Sequence, residues 1–176
     1  MLDRRAMTTR FVCRNVFNTD PDTFWAKVFF DADYNNGLYL GALGFKSYEP
    51  LSLDEKPDGS KVRRFRTEPK TEAPAVVTKL IGGSLVYEET GTFDAKTKIW
   101  TYQIRTSKMA DKVRIGGRYW LESRGEKRLE RICEVDITVD VFGVGGVVEG
   151  FIEKTTRDTY LKATDFTNAF IAKHGL

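Results

Sequence analysis

Residues 142–174 read FGVGGVVEGFIEKTTRDTYLKATDFTNAFIAKH. Val144, Val148, Phe151, Ile152, Thr155, Thr159, Ala163, Phe166 and Phe170 recur at spacings of three and four, the spacing of one face of an α-helix. Glu149, Glu153, Lys154, Arg157, Asp158, Lys162 and Asp165 fall on the other face. The pattern predicts an amphipathic helix of about 28 residues, roughly 42 Å long. Propensity alone does not hold so long a helix in water, so its apolar stripe requires a large complementary surface. The rest of the chain supplies one in the form of a sheet.

Upstream of this helix the pattern is extended. Segments 46–53, 61–68, 84–93, 98–106, 113–123 and 127–140 read as strands, separated by short joints such as Pro57-Asp58-Gly59-Ser60 and Arg124-Gly125-Glu126. Short joints between successive strands imply hairpins and an antiparallel meander. Alternation places Trp100, Tyr102 and Ile104 on one side of their strand and Thr101, Gln103 and Arg105 on the other. The same logic sets Ile115, Gly117, Tyr119 and Leu121 against Arg114, Arg118 and Glu122, with Trp120 on the charged side. It also sets Cys133, Val135, Ile137 and Val139 against Glu134, Asp136 and Thr138. Segment 71–81, with Pro74 and Val76-Val77, reads as a loop or an irregular edge.

Residues 10–18 form a first strand, stopped by Thr19-Asp20-Pro21-Asp22. Asp20 as N-cap, Pro21 at the first helical position and Asp22 in the first turn mark a helix start. Phe24, Trp25, Val28 and Phe29 continue it, and Asn35-Asn36-Gly37 ends it or separates it from a second short helix over 38–43. The order is strand, two short helices, six strands, long helix. The fold class is therefore α+β: a curved antiparallel sheet of about seven strands wrapped around a long C-terminal helix.

The bulk composition narrows the function. At 176 residues the chain forms one domain, 9–176, preceded by a loose segment 1–8, and is large enough to bury about 70% of its unfolded surface. A net charge of +3 from 28 basic and 25 acidic residues gives no electrostatic case for nucleic acid. No apolar run reaches membrane-spanning length and 1–10 lacks a signal-peptide core, so a cytoplasmic protein without stable membrane insertion is expected; transient membrane contact stays open. The two cysteines, Cys13 and Cys133, read as small core residues. A single histidine, His174, excludes a Ser-His-Asp triad, HExxH and a His-rich zinc site. No metal, cofactor or catalytic residue is expected.

Four patterns could carry chemistry. Gly143-Val144-Gly145-Gly146 before a helix could cradle phosphate, but the spacing is not GxGxxG, and glycines also let a strand turn sharply into a helix. Arg63 alternates against Arg64 and Arg66. One set points inward and then needs Glu88, Glu89 or a ligand head group, unless the strand is a charged sheet edge. Glu149 and Glu153 could form a carboxylate pair, or serve the helix dipole and pair with Arg157. Tyr87, Tyr102, Tyr119 and Trp100 could meet a ligand or form ordinary core.

The element order, the DPDTFW helix start after the first strand and VFGVGGVVEGFIEKTTRD leading into a terminal helix resemble the START-like superfamily, also called SRPBCC or helix-grip proteins. The resemblance covers about 9–172. The segment GVGGVVEGFIEK is similar to a bacterial branch of unassigned function, and Ile152-Glu153-Lys154 resembles a step in the terminal helix of the sterol-binding VASt domains. The resemblance implies a cavity between sheet and terminal helix, lined by Trp100, Tyr102, Tyr119, Leu121, Val148, Phe151, Ile152, Thr155 and Thr159, with Tyr87 as a further ligand contact. It also implies that the short helices between Phe24 and Leu43 form the lid or mouth of that cavity. It implies binding, transport or sensing of a small apolar ligand such as a lipid or sterol, without covalent chemistry. Two rival expectations stand beside it: a polyketide cyclase or aromatase-like enzyme, which needs ionisable groups inside the cavity, and an interaction module, which needs a filled core and an exposed apolar patch.

Overall fold

The computed structural model describes residues 8–70 and 72–176. Of the segment 1–8, expected to be loose, only Thr8 lies within the described residues, and it pairs with Thr138 in the sheet. The strands are β1 (Thr8–Phe17), β2 (Ser47–Glu55), β3 (Lys61–Glu68), β4 (Tyr87–Asp94), β5 (Ile99–Thr106), β6 (Val113–Gly125) and β7 (Arg128–Val139). They form one antiparallel sheet in the order β1-β7-β6-β5-β4-β3-β2. Strands β2 to β7 run as a meander, and β1 returns beside the last of them. The long helix α4 (Gly145–His174) packs against β1 and β7, as its apolar stripe requires.

The alternation holds along the strands. Trp100 and Tyr102 are buried while Thr101, Gln103 and Arg105 are exposed, and Cys133, Val135, Ile137 and Val139 are all buried. Trp120 does lie on the outer face. It sits opposite Ile132 in the β6–β7 register, Arg118 covers its ring at 5.6 Å, and its Nε1 donates to Glu122 at 3.1 Å. A guanidinium over an indole and a nearby carboxylate let an aromatic residue live on a charged face. Charge on β3 is not the mark of an edge, since β2 covers it.

The helix start is as expected. The Asp20 side chain accepts from the Thr23 amide at 2.9 Å and the Thr23 hydroxyl at 2.7 Å, ahead of α1 (Pro21–Thr23). The chain then widens into a π-helical turn over Phe24–Phe29. The break falls earlier than Asn35-Asn36-Gly37, because Asp31 caps a new helix by accepting from the Tyr34 amide at 2.7 Å. That helix, α2 (Ala32–Asn36), runs through Gly37 into a second π turn, Gly37–Ala42. Gly37 is a contact glycine: a Cβ there would come within 2.8 Å of Phe166 on α4.

Two more departures matter. Segment 71–81 contains a helix, α3 (Ala75–Ile81), begun after Pro74 and ended by Gly82 at φ +64°. Glu149 does not lie on the polar face. It is buried, accepting from the Val139 amide at 3.0 Å and the Thr9 hydroxyl at 2.7 Å, so it ties the start of α4 to both neighbouring strands. Glu153 pairs with Arg157 at 2.8 Å. The glycine run serves the turn: Gly143 has φ +78°, and a Cβ on Gly145 would meet the Val139 carbonyl at 2.9 Å. Among the described residues no helix is long and apolar enough to cross a membrane.

Candidate functional site

The curved sheet and α4 diverge in the middle of the molecule and leave a cavity of about 570 Å³. Tyr102, Ile104, Ile115, Tyr119 and Val135 form its floor, and α4 forms one wall. On the other side stand Tyr34 of α2, Leu38 and Tyr39 of the π turn that follows it, and Val77, Leu80 and Ile81 of α3. The volume falls in the range of small-molecule sites.

Eight of the expected contacts line this space: Tyr87, Tyr102, Tyr119, Val148, Phe151, Ile152, Thr155 and Thr159. Trp100 and Leu121 are not among the residues that line it. Trp100 is 1% exposed because its ring lies where Gly91 has no side chain; a Cβ on Gly91 would fall inside the indole. Phe29 and Phe30 close over the same ring edge-on, at 4.9 and 5.9 Å. Leu121 lies two residues beyond Tyr119, opposite Arg131 in the sheet, and packs into the core.

The interior is more polar than the strand patterns suggest. Arg63 on β3 points inward and is 7% exposed. Its Nη1 donates to the Phe29 carbonyl at 3.0 Å and to Asn35 Oδ1 at 3.3 Å. The wide turn before Phe30 leaves that carbonyl free of the helix, and Asn35 Nδ2 donates to it as well at 3.0 Å. The guanidinium rests on Phe29 at 4.3 Å and Trp100 at 5.0 Å. Its Nη2 stands 4.0 Å from the Glu89 carboxylate. Burial pushes the Glu89 carboxyl up to about 7, against the pull of Arg63. Burial likewise raises the phenols of Tyr39, Tyr87, Tyr102, Tyr119 and Tyr160, so all stay protonated as hydrogen-bond donors.

A second inward arginine, Arg131 on β7, also lines the cavity. Alternation places it with Cys133 and Val135, which is the signal that would have found it. Beside it, Tyr160 on α4 lies 3.1 Å from Cys133 Sγ and 3.5 Å from the Tyr102 hydroxyl. The Cys133 thiol is pushed up by burial, so it is a neutral wall group rather than a nucleophile. Lys70, Glu72, Lys108, Lys154, Asp158 and Lys162 are the exposed charged members of the lining and mark its mouth. Among the described residues no group of three or more His, Cys, Asp or Glu could hold a metal ion.

A family model described as a protein of unknown function, DUF2505, matches residues 14–171. The chain belongs to the DUF2505 family. The match runs from the middle of β1 to near the end of α4, so the DUF2505 segment contains every cavity residue named above. No curated protein matches the chain. Among solved structures, a Thermus thermophilus protein superposes with a TM-score of 0.67 at 11% identity, over 96% of this chain and 100% of that one. The Zhui aromatase/cyclase of a Streptomyces species gives 0.65 at 11%, over 97% of both chains. Norcoclaurine synthase from Thalictrum flavum gives 0.66 at 14%, over 96% of this chain and 89% of that one. At such identities the likeness is one of fold: this DUF2505 chain has the helix-grip architecture, with a seven-stranded sheet and a long terminal helix.

Proposed function

We propose that this domain takes up a small, mainly apolar molecule of the lipid or sterol class in the space between sheet and α4, and carries or senses it in the cytoplasm. The observation that supports this most directly is the 570 Å³ cavity itself. A well-packed interior has few voids larger than a water molecule, so a space of this size argues for an occupant, and against an interaction module with a filled core. Tyr87, Tyr102, Tyr119, Val148, Phe151, Ile152, Thr155 and Thr159 are the proposed contacts. Native mass spectrometry of the purified protein, followed by organic extraction, tests the reading. A discrete co-purifying species of a few hundred daltons supports it. A clean apo mass that persists after incubation with mixed lipids and sterols removes it.

One observation favours a second reading, a cyclase-like enzyme. Glu89 ionises near neutrality beside Arg63 at the cavity wall, the pairing wanted for removing a proton next to a carbonyl whose oxygen an arginine polarises. Fold neighbours include an aromatase/cyclase and a synthase solved with dopamine and hydroxybenzaldehyde. Turnover of a poly-β-ketone probe that disappears in Glu89→Gln would favour the enzyme; no turnover in the wild-type protein would discard it.

A further inference from the structure

The two buried arginines are not equivalent. Arg63 has a carboxylate at 4.0 Å and two oxygen acceptors. Arg131, 6% exposed, has among the described residues one hydrogen bond, from Nη2 to Asn15 Oδ1 at 3.1 Å, and no ion pair. Its Nε is buried without a partner, as is that of Arg63, so the two differ in the counter-charge and in the acceptors of their Nη groups. Around it stand rings, Tyr160 at 4.6 Å, Phe17 at 5.0 Å and Tyr119 at 5.6 Å. They offer the cation a π face, and no hydrogen bond joins the Tyr160 or Tyr119 hydroxyl to its N–H fork. A guanidinium carries five donors and stays charged at any physiological pH, and a buried charge without a counter-charge is costly. Glu89 does not serve, since the charge acting on it is that of Arg63.

We propose that Arg131 receives the carboxylate of an apolar ligand, which enters the cavity head first and leaves its hydrocarbon part among Ile104, Ile115, Phe151 and Ile152. This rests on the ligand-carrier reading above and narrows its ligand to a carboxylate-bearing amphiphile. The fork geometry of an arginine matches a carboxylate bidentately, and the wall beside it adds the donors of Tyr160 and Tyr102. The mouth agrees in sign: Lys70, Lys108, Lys154 and Lys162 face Glu72 and Asp158 there, a balance that attracts an anion.

The test is calorimetric titration of the full chain with dodecanoate, methyl dodecanoate, dodecanol and acetate, repeated with Arg131→Met. Dodecanoate should bind the wild-type protein about tenfold or more tighter than its ester or the alcohol. In Arg131→Met that preference should vanish while dodecanol binding persists, which also shows the variant to be folded. Equal binding of acid, ester and alcohol by the wild-type protein overturns the role of Arg131 and leaves the carrier reading intact. Acetate binding as tightly as dodecanoate overturns it too, as does a preference that survives Arg131→Met. Binding of none of the four overturns the role of Arg131, and the carrier reading is then decided by the extraction and the incubation with lipids and sterols described above. If the variant does not fold, the wild-type comparison still tests the proposal, because equal binding of acid, ester and alcohol overturns it.

Discussion

Glu89 carries a pH signature that follows from its place alone. Its carboxyl is pushed from 4.5 up to about 7 by burial, so between those values the folded chain holds a proton that the unfolded chain has released. Stability is therefore greatest below this window and falls as pH rises through it, by about 3 kcal/mol in all. Denaturant midpoints at stepped pH should show the decline in the wild-type protein and a flatter profile in Glu89→Gln; an unchanged profile would mean that Glu89 is already ionised in the fold. The two central charges were unequally legible. Arg63 could be assigned inward or outward from alternation, and its partner could be narrowed to Glu88, Glu89 or a ligand head group, of which the structure supplies Glu89. Arg131 stands on a side that alternation gives, but its one hydrogen bond reaches Asn15, 116 residues away, and among the described residues no carboxylate pairs with it. Pairing across such distances leaves no mark in local pattern.

At the scale of elements, capping chemistry read true and wide turns did not. Asp20-Pro21-Asp22 gave the start of α1 because a side-chain oxygen, a fixed φ and an acidic first turn act locally. Asp20→Ala removes both bonds to Thr23 and should lower the unfolding free energy by about 1 kcal/mol, read as a shift in urea midpoint at constant slope. Helix α3 escaped because seven residues are too few for helical period to show, and because Val76-Val77-Thr78 favours an extended chain on propensity. What makes it helical is tertiary: Val77 is 2% exposed in the cavity's upper wall. The π turns follow the same rule, since the register that presents the Phe29 carbonyl to Arg63 is set by β3 rather than by the turn's own residues.

For the molecule as a whole, the order of elements, the faces of the sheet and the terminal helix were all readable, because each rests on periodicity repeated over many residues. The cavity was inferred from resemblance and lay where expected, yet its polar interior was underestimated. Alternation sorts residues by side and is silent on whether a side is filled or hollow. Filling the space tests what the hollow is for. Thr155→Trp places an indole inside it from α4, and the variant should keep its circular dichroism and melting transition while losing any co-purifying ligand. Loss of the fold together with the ligand would mean that the wall of α4 has no room to spare.

The return of β1 beside β7 has a consequence during synthesis. Thr8 waits for Thr138, 130 residues later, and at roughly 5–20 residues per second the ribosome needs on the order of ten seconds to deliver it. Throughout that interval β2 to β6 can form hairpins with near neighbours, while the first strand, with Phe11, Cys13 and Phe17 along its inner side, has no place in the sheet. Until β7 is made, the apolar side of β1 has no strand to pair with, and the sheet is completed only when β7 joins it to β6.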